Sequence, residues 1–107
     1  MRLSFFSQVC AVVKSIPKGK ITTYGIVARL VDTKDSRRIG HALHANRDPN
    51  CPCHRVVFKD GSLAPGYAFG GPKEQRFRLE KEGVGFKASG KVDLVNHLWN
   101  ESLSLAI

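Results

Sequence analysis

Two breaks in the first half of the chain constrain its fold most. Pro17-Lys18-Gly19-Lys20 and Asp32-Thr33-Lys34-Asp35 cannot continue a helix, and they separate three short amphipathic segments. In the first, Phe5, Val9, Val12, Val13 and Ile16 recur at helical spacing behind Ser4 as a cap, which predicts a helix over residues 4–16. In the second, Thr22 or Thr23 can cap a helix running through Val31, with Ile26, Val27 and Leu30 as its buried stripe. In the third, Ser36 or Asp35 caps a helix to about Ala45. Two short helices joined by a tight polar turn have the outline of a helix-turn-helix. On the third helix Ile39, Ala42 and Leu43 take the core side, whereas Arg37, His41 and His44 share another face with Arg38 beside them. That basic face reads either as a solvated surface or as one that meets phosphates.

The second half is less regular. Residues 46–53 carry two prolines and two asparagines and form a loop by composition. Arg55-Val56-Val57-Phe58 reads as a short strand closed by the turn Lys59-Asp60-Gly61, and residues 63–71 as a loop rich in glycine and small residues, able to come close to a ligand. Pro72 opens a fourth helix to Glu82 that stops at Gly83, its weak apolar periodicity carried by Phe77 and Leu79. Val84 and Phe86, then Val92 and Leu94, alternate around Ser89-Gly90, which predicts a small hairpin before the tail containing Trp99. The fold class is mainly α: a winged-helix-like helix-turn-helix bundle with a small β hairpin or wing. A chain of 107 residues suits one domain over 1–107.

Seventeen Lys and Arg against nine Asp and Glu give a net charge of +8, spread along the chain. The natural partner is a polyanion, nucleic acid first, although charge alone supports such a reading without founding it. Three cysteines, Cys10, Cys51 and Cys53, argue against a disulfide framework and for a reducing compartment. With no secretory signal visible and no apolar run near the ~20 residues of a membrane span, a cytoplasmic, membrane-free monomer is expected.

A thiol acts as a nucleophile only as thiolate, and a neighbouring imidazole, cations or backbone N–H groups lower its pKa. Cys53 has His54 and Arg55 beside it, so it reads as a reactive thiol or as an ordinary buried one. Cys51-Pro52-Cys53-His54 lacks zinc-knuckle spacing and a second ligand pair, so no metal is expected; Cys10 falls on the apolar stripe of the first helix and reads as core.

Pro52-Cys53-His54-Arg55-Val56-Val57 resembles the active-site motif of the O6-alkylguanine-DNA alkyltransferases, and flanking motifs match that family in order. They are Ile16-Pro17-Lys18-Gly19-Lys20-Ile21-Thr22-Thr23-Tyr24-Gly25, Ser36-Arg37-Arg38-Ile39-Gly40-His41-Ala42-Leu43, Asn46, Gly66-Tyr67-Ala68 and Leu79-Glu80-Lys81-Glu82-Gly83. The resemblance implies that Cys53 accepts the alkyl group, that His54 is the base reaching it through a water, that Glu82 orients His54, and that Asn46 ties the helix-turn-helix to the cysteine loop. It implies that Arg37 replaces the extruded guanine in the base stack and that Tyr24 turns the adjacent phosphate, with Arg38, Thr23 and His41 also facing DNA. Tyr67, Ala68 and Val56 would line the alkylguanine pocket. The partner implied is duplex DNA containing O6-alkylguanine, with other repair proteins as further candidates. The O6 atom of a stacked guanine is out of reach, so the nucleotide must be flipped. Transfer to sulfur would be irreversible and needs no cofactor.

Some features depart from the repair enzymes. Those carry an additional N-terminal domain, whereas this chain starts almost directly at the DNA-binding half. The short form, the tail Lys91-Val92-Asp93-Leu94 with Trp99, and Ala68 in place of a loop serine resemble the alkyltransferase-like branch, which binds the lesion without chemistry and has Trp where this chain has Cys53. Two readings follow: a single-turnover alkyltransferase, favoured by the intact set around Cys53, and a lesion-binding protein that flags O6-alkylguanine for another pathway. A general DNA-binding regulator is a third. If the relay works, the Cys53 thiol should titrate below its free value of about 8.5.

Overall fold

The structure, a computed structural model, describes residues 4–99. Each break found in the sequence ends a helix. Helix α1 spans Phe5–Lys14, α2 Tyr24–Leu30 and α3 Ser36–His44, and each is capped by the short polar side chain before it. Ser4 accepts from the Ser7 N–H, Thr23 from Ile26, and Asp35 from both Arg37 and Arg38. These bonds satisfy amides that a helix start leaves without partners. The α2 stripe is shifted from the expected one: Tyr24, Val27 and Ala28 are buried, while Ile26 and Leu30 are only half-buried. The stripe follows Tyr24 because the aromatic ring brings the most apolar area into the core.

The strand pairing differs from the sequence reading. Strands β1, Thr22–Thr23, and β2, Val56–Val57, form a parallel pair with Thr22 opposite Val56. A parallel pair needs a long crossover, here α2, α3 and the loop to Cys53, and no local pattern announces it. The expected hairpin is reduced to one antiparallel bridge between Phe86 and Val92. Leu94, expected in a strand, starts the short helix α5, Leu94–His97. Between β2 and that bridge, α4 spans Gly71–Lys81, with Glu82 as its C-cap. Its buried face carries Leu79 and the polar Gln75, whereas Phe77 is 56% exposed, so Phe77 does not mark the core side.

Two apolar clusters result. The larger joins Val9 and Val13 of α1, Val27 of α2, Ile39 and Leu43 of α3, Val56 and Trp99; the smaller joins Ile21, Val57, Leu79, Val84 and Val92. The β pair lies between them, since Val56 belongs to one cluster and Val57 to the other. The tail is fastened there too, by the Trp99 N–H donating to the Ile21 carbonyl at 2.7 Å.

Cys10 and Cys51 are joined by a disulfide, although the three cysteines argue against a disulfide framework and Cys10 reads as a simple core residue. An odd count cannot exclude one pair, and the fold brings α1 against the loop before Cys53. Cys53 is the free cysteine. No described helix is long and apolar enough to cross a membrane.

Candidate functional site

Cys53 opens a 3-10 turn, Cys53–Arg55, that leads into β2, and it is 5% exposed. Asn46, just beyond the end of α3, is 1% exposed and binds the loop that carries the cysteine. Its Nδ2 lies 3.2 Å from the Asp48 and Cys51 carbonyls and 3.4 Å from Cys53 Sγ, and its Oδ1 accepts from the Asp48 N–H at 2.8 Å. One amide thus couples α3 to the sulfur, since a buried amide is stable only with its donors and acceptors engaged.

Behind the cysteine, His54 and Glu82 meet at 3.0 Å, Nε2 to Oε2. The same carboxylate receives Arg55 in bidentate form, Nε to Oε1 at 2.9 Å and Nη2 to Oε2 at 2.7 Å. Arg55 Nη1 donates further to the Ile16 carbonyl at 2.7 Å. Burial would raise the Glu82 carboxyl, but hydrogen bonds from Arg55 and His54 outweigh it and hold the group below its ordinary range. Burial lowers His54 despite Glu82, so the imidazole is neutral, and an ionised Glu82 assigns its proton to Nε2. The Nδ1 lone pair then has no hydrogen-bond partner among the described residues.

The thiol itself does not follow the expectation of a lowered pKa. Burial pushes Cys53 up, opposed by the Asn46 amide, a backbone N–H and the charge of Arg78. Thiol and imidazole are therefore both kept neutral at rest.

Two phenols flank the sulfur. Tyr24 is pushed up to about 12 by burial and then by Cys53, and Tyr67 to about 12 by the same two causes in the same order. Ala68 follows Tyr67 in the loop as a half-buried residue, while Val56 is fully buried in the β pair. The loop comes close to α3, as its composition allows: a Cβ on Gly66 would fall 3.0 Å from the His44 ring. Tyr24 also lines a cleft of about 240 Å³ with Ser36, Arg37, Gly40, His41, His44 and Phe58. The structure thus brings Tyr24, Arg37 and His41 to one opening. Arg38 is exposed but points elsewhere, its guanidinium 3.7 Å from the centre of the Phe5 ring. Thr23 is 7% exposed and its hydroxyl caps α2, which leaves its backbone and methyl group as what it offers a ligand.

Four contributors were missed by sequence reasoning. Arg55, taken as part of a motif, anchors Glu82. Gln75 is fully buried and ties the 3-10 turn, β2 and the following loop to α4, donating to the His54 and Val56 carbonyls and accepting from the Ala64 N–H. It lies four residues before Leu79, so helical spacing could have found it had polar residues been admitted to the stripe. Phe58 packs on Tyr24 with ring centres 5.1 Å apart and remains 41% exposed at the cleft mouth. Arg78 donates to the Tyr67 hydroxyl at 2.8 Å, a contact between α4 and a loop that no spacing predicts.

The model of the 6-O-methylguanine DNA methyltransferase DNA-binding domain matches residues 4–84. The chain is 33% identical over 101 residues to alkyltransferase-like protein 1 of Schizosaccharomyces pombe, covering 89% of this chain and 94% of that protein. It is 44% identical over 79 residues to a methylated-DNA--protein-cysteine methyltransferase of Methanocaldococcus jannaschii, covering 73% of this chain and 45% of that protein. A bifunctional methyltransferase/endonuclease of Picrophilus torridus is 36% identical over 100 residues, and the chain spans 92% of itself but 33% of that protein. Relatives thus include both methyltransferases and alkyltransferase-like proteins. Among solved structures, S. pombe Atl1 in complex with damaged DNA containing O6-carboxymethylguanine superposes with a TM-score of 0.76 at 33% identity, over 92% of this chain and 98% of that one.

Proposed function

Because the chain belongs to the family of the 6-O-methylguanine DNA methyltransferase DNA-binding domain, we propose that it binds duplex DNA, flips O6-alkylguanine in towards the sulfur beside Tyr24 and Tyr67, and transfers the alkyl group to Cys53. One observation carries this reading: a free, buried thiol held by Asn46 lies next in the chain to a neutral His54 whose far nitrogen is fixed by Glu82. A neutral thiol and a neutral imidazole form a reactive pair once a substrate arrives. Sulfur attacks the alkyl carbon, the S–C bond forms as the C–O6 bond breaks, and guanine leaves with that electron pair. The thiol proton passes to His54 Nδ1 through a water, and guanine is reprotonated from solvent. Arg37, at the cleft mouth, supports the vacated position in the stack, and the family relation to proteins bound to damaged DNA supports the flipped geometry.

A second reading, lesion binding without transfer, is favoured by the elevated Cys53 thiol and by the alkyltransferase-like relatives. Intact-protein mass spectrometry after incubation with an O6-methylguanine duplex separates the two. Transfer adds the mass of one methyl group, located on Cys53 and absent from Cys53→Ala. Tight, lesion-selective binding with no mass change between pH 6 and 9 would leave the second reading standing.

A further inference from the structure

Arg78 is not used by the transfer chemistry, yet its charge reaches the Cys53 thiol and its side chain lines an open cleft. Its guanidinium lies 5.6 Å from the centre of the Tyr67 ring and 5.3 Å from that of Phe69, so both loop aromatics face a cation. Nη1 donates to the Tyr67 hydroxyl at 2.8 Å and Nε to Glu74 at 2.9 Å, one turn earlier on α4. Nη2 has no hydrogen-bond partner among the described residues. On its other side Arg78 lines a cleft of about 450 Å³ with Lys18, His54, Lys81 and Glu82. Three cationic residues line it, the Lys81 ammonium also standing 5.5 Å from the centre of the Phe77 ring, and the single carboxylate is already taken up by Arg55 and His54. The cleft therefore presents unbalanced positive charge next to the residue that would activate the sulfur.

We propose that Arg78, with Lys18 and Lys81, forms a subsite for the anionic end of an O6 substituent, so that carboxylate-bearing adducts are selected over neutral ones of the same size. The inference rests on the reading of the site as an O6-alkylguanine pocket. A guanidinium with an unused edge, already oriented by Glu74 and two rings, meets a carboxylate without the ordering cost that a free arginine would bear. A DNA phosphate is the competing anion. Arg37 and His41, which the proposed function sets against the duplex, line a different cleft, whereas this one opens on the His54 and Glu82 side of the cysteine.

The test uses the full chain in a Cys53→Ala background, so that binding is measured without transfer. Four duplexes of one sequence are compared: guanine, O6-methylguanine, O6-carboxymethylguanine, and the uncharged amide of the carboxymethyl group. The carboxylate duplex should bind about tenfold more tightly than its amide, equivalent to ~1.4 kcal/mol. Arg78→Leu, which keeps an apolar contact with Tyr67 and Phe69, should bring the two close to parity, and Arg78→Lys should recover part of the gap. Equal binding of carboxylate and amide by the parent, or a gap that survives Arg78→Leu, overturns the proposal. So does an Arg78→Leu loss of equal size on undamaged DNA, which would mark a phosphate contact. Failure of the underlying reading looks different: the parent would then not distinguish O6-methylguanine from guanine.

Discussion

Glu82 is shared by two partners, and its replacement has consequences that a simple histidine-orienting role would not produce. The Arg55 and Glu82 side chains are 11% and 13% exposed, and removing one charge from a buried pair strands the other. Glu82→Gln is expected to destabilise the fold by about 3 kcal/mol in urea unfolding, as well as to slow methyl transfer. Unchanged stability would show that the carboxylate does not anchor Arg55. His54 predicts a pH effect. Its folded pKa lies below the unfolded value of about 6.5, so below that pH the unfolded chain takes up a proton that the folded chain refuses. Stability should therefore fall as pH drops from about 6.5, with a further loss below about 4.3 as the lowered Glu82 is protonated. Urea midpoints at pH 7.5, 6.5 and 5.5 measure the first step, and a flat series would contradict a buried neutral His54.

At the scale of elements, the parallel β pair holds the site together, because Thr22 faces Val56 three residues after Cys53. Thr22 is fully buried and its Oγ1 has no hydrogen-bond partner among the described residues. A buried hydroxyl without a partner is a cost, and valine has nearly the same shape without it. Thr22→Val should raise stability by about 1 kcal/mol in urea unfolding and leave DNA affinity unchanged. A loss of stability would mean that the hydroxyl has a partner in solution. The helices were legible because capping and 3.6-residue periodicity are local. The β pair was not, since Thr22 and Val56 are far apart in sequence and a two-residue strand has too short a pattern to read. Gln75 escaped for a related reason, because its three hydrogen bonds reach elements separated from α4 by loops.

For the whole molecule, the disulfide between Cys10 and Cys51 spans a sequence separation of 41 and closes α1 onto the loop that ends in Cys53. Cross-linking over such a distance is worth about 2–4 kcal/mol, largely through the unfolded state. Reduction, or Cys10→Ser, should lower the thermal midpoint and speed alkylation of Cys53 by iodoacetamide, because Cys51 bonds to Asn46 and to the Cys53 N–H through its carbonyl. An unchanged alkylation rate would uncouple the disulfide from the Cys53 loop. The sequence by itself determined the three capped helices, the basic face of α3 and the identity of the motif around Cys53, because each depends on residues close in the chain. Only the tertiary structure decided that Arg55 shares Glu82 with His54, that Arg38 turns to Phe5, and that the thiol is raised instead of lowered. Those outcomes depend on burial and on charges brought together across the fold, and neither quantity exists until the chain has packed.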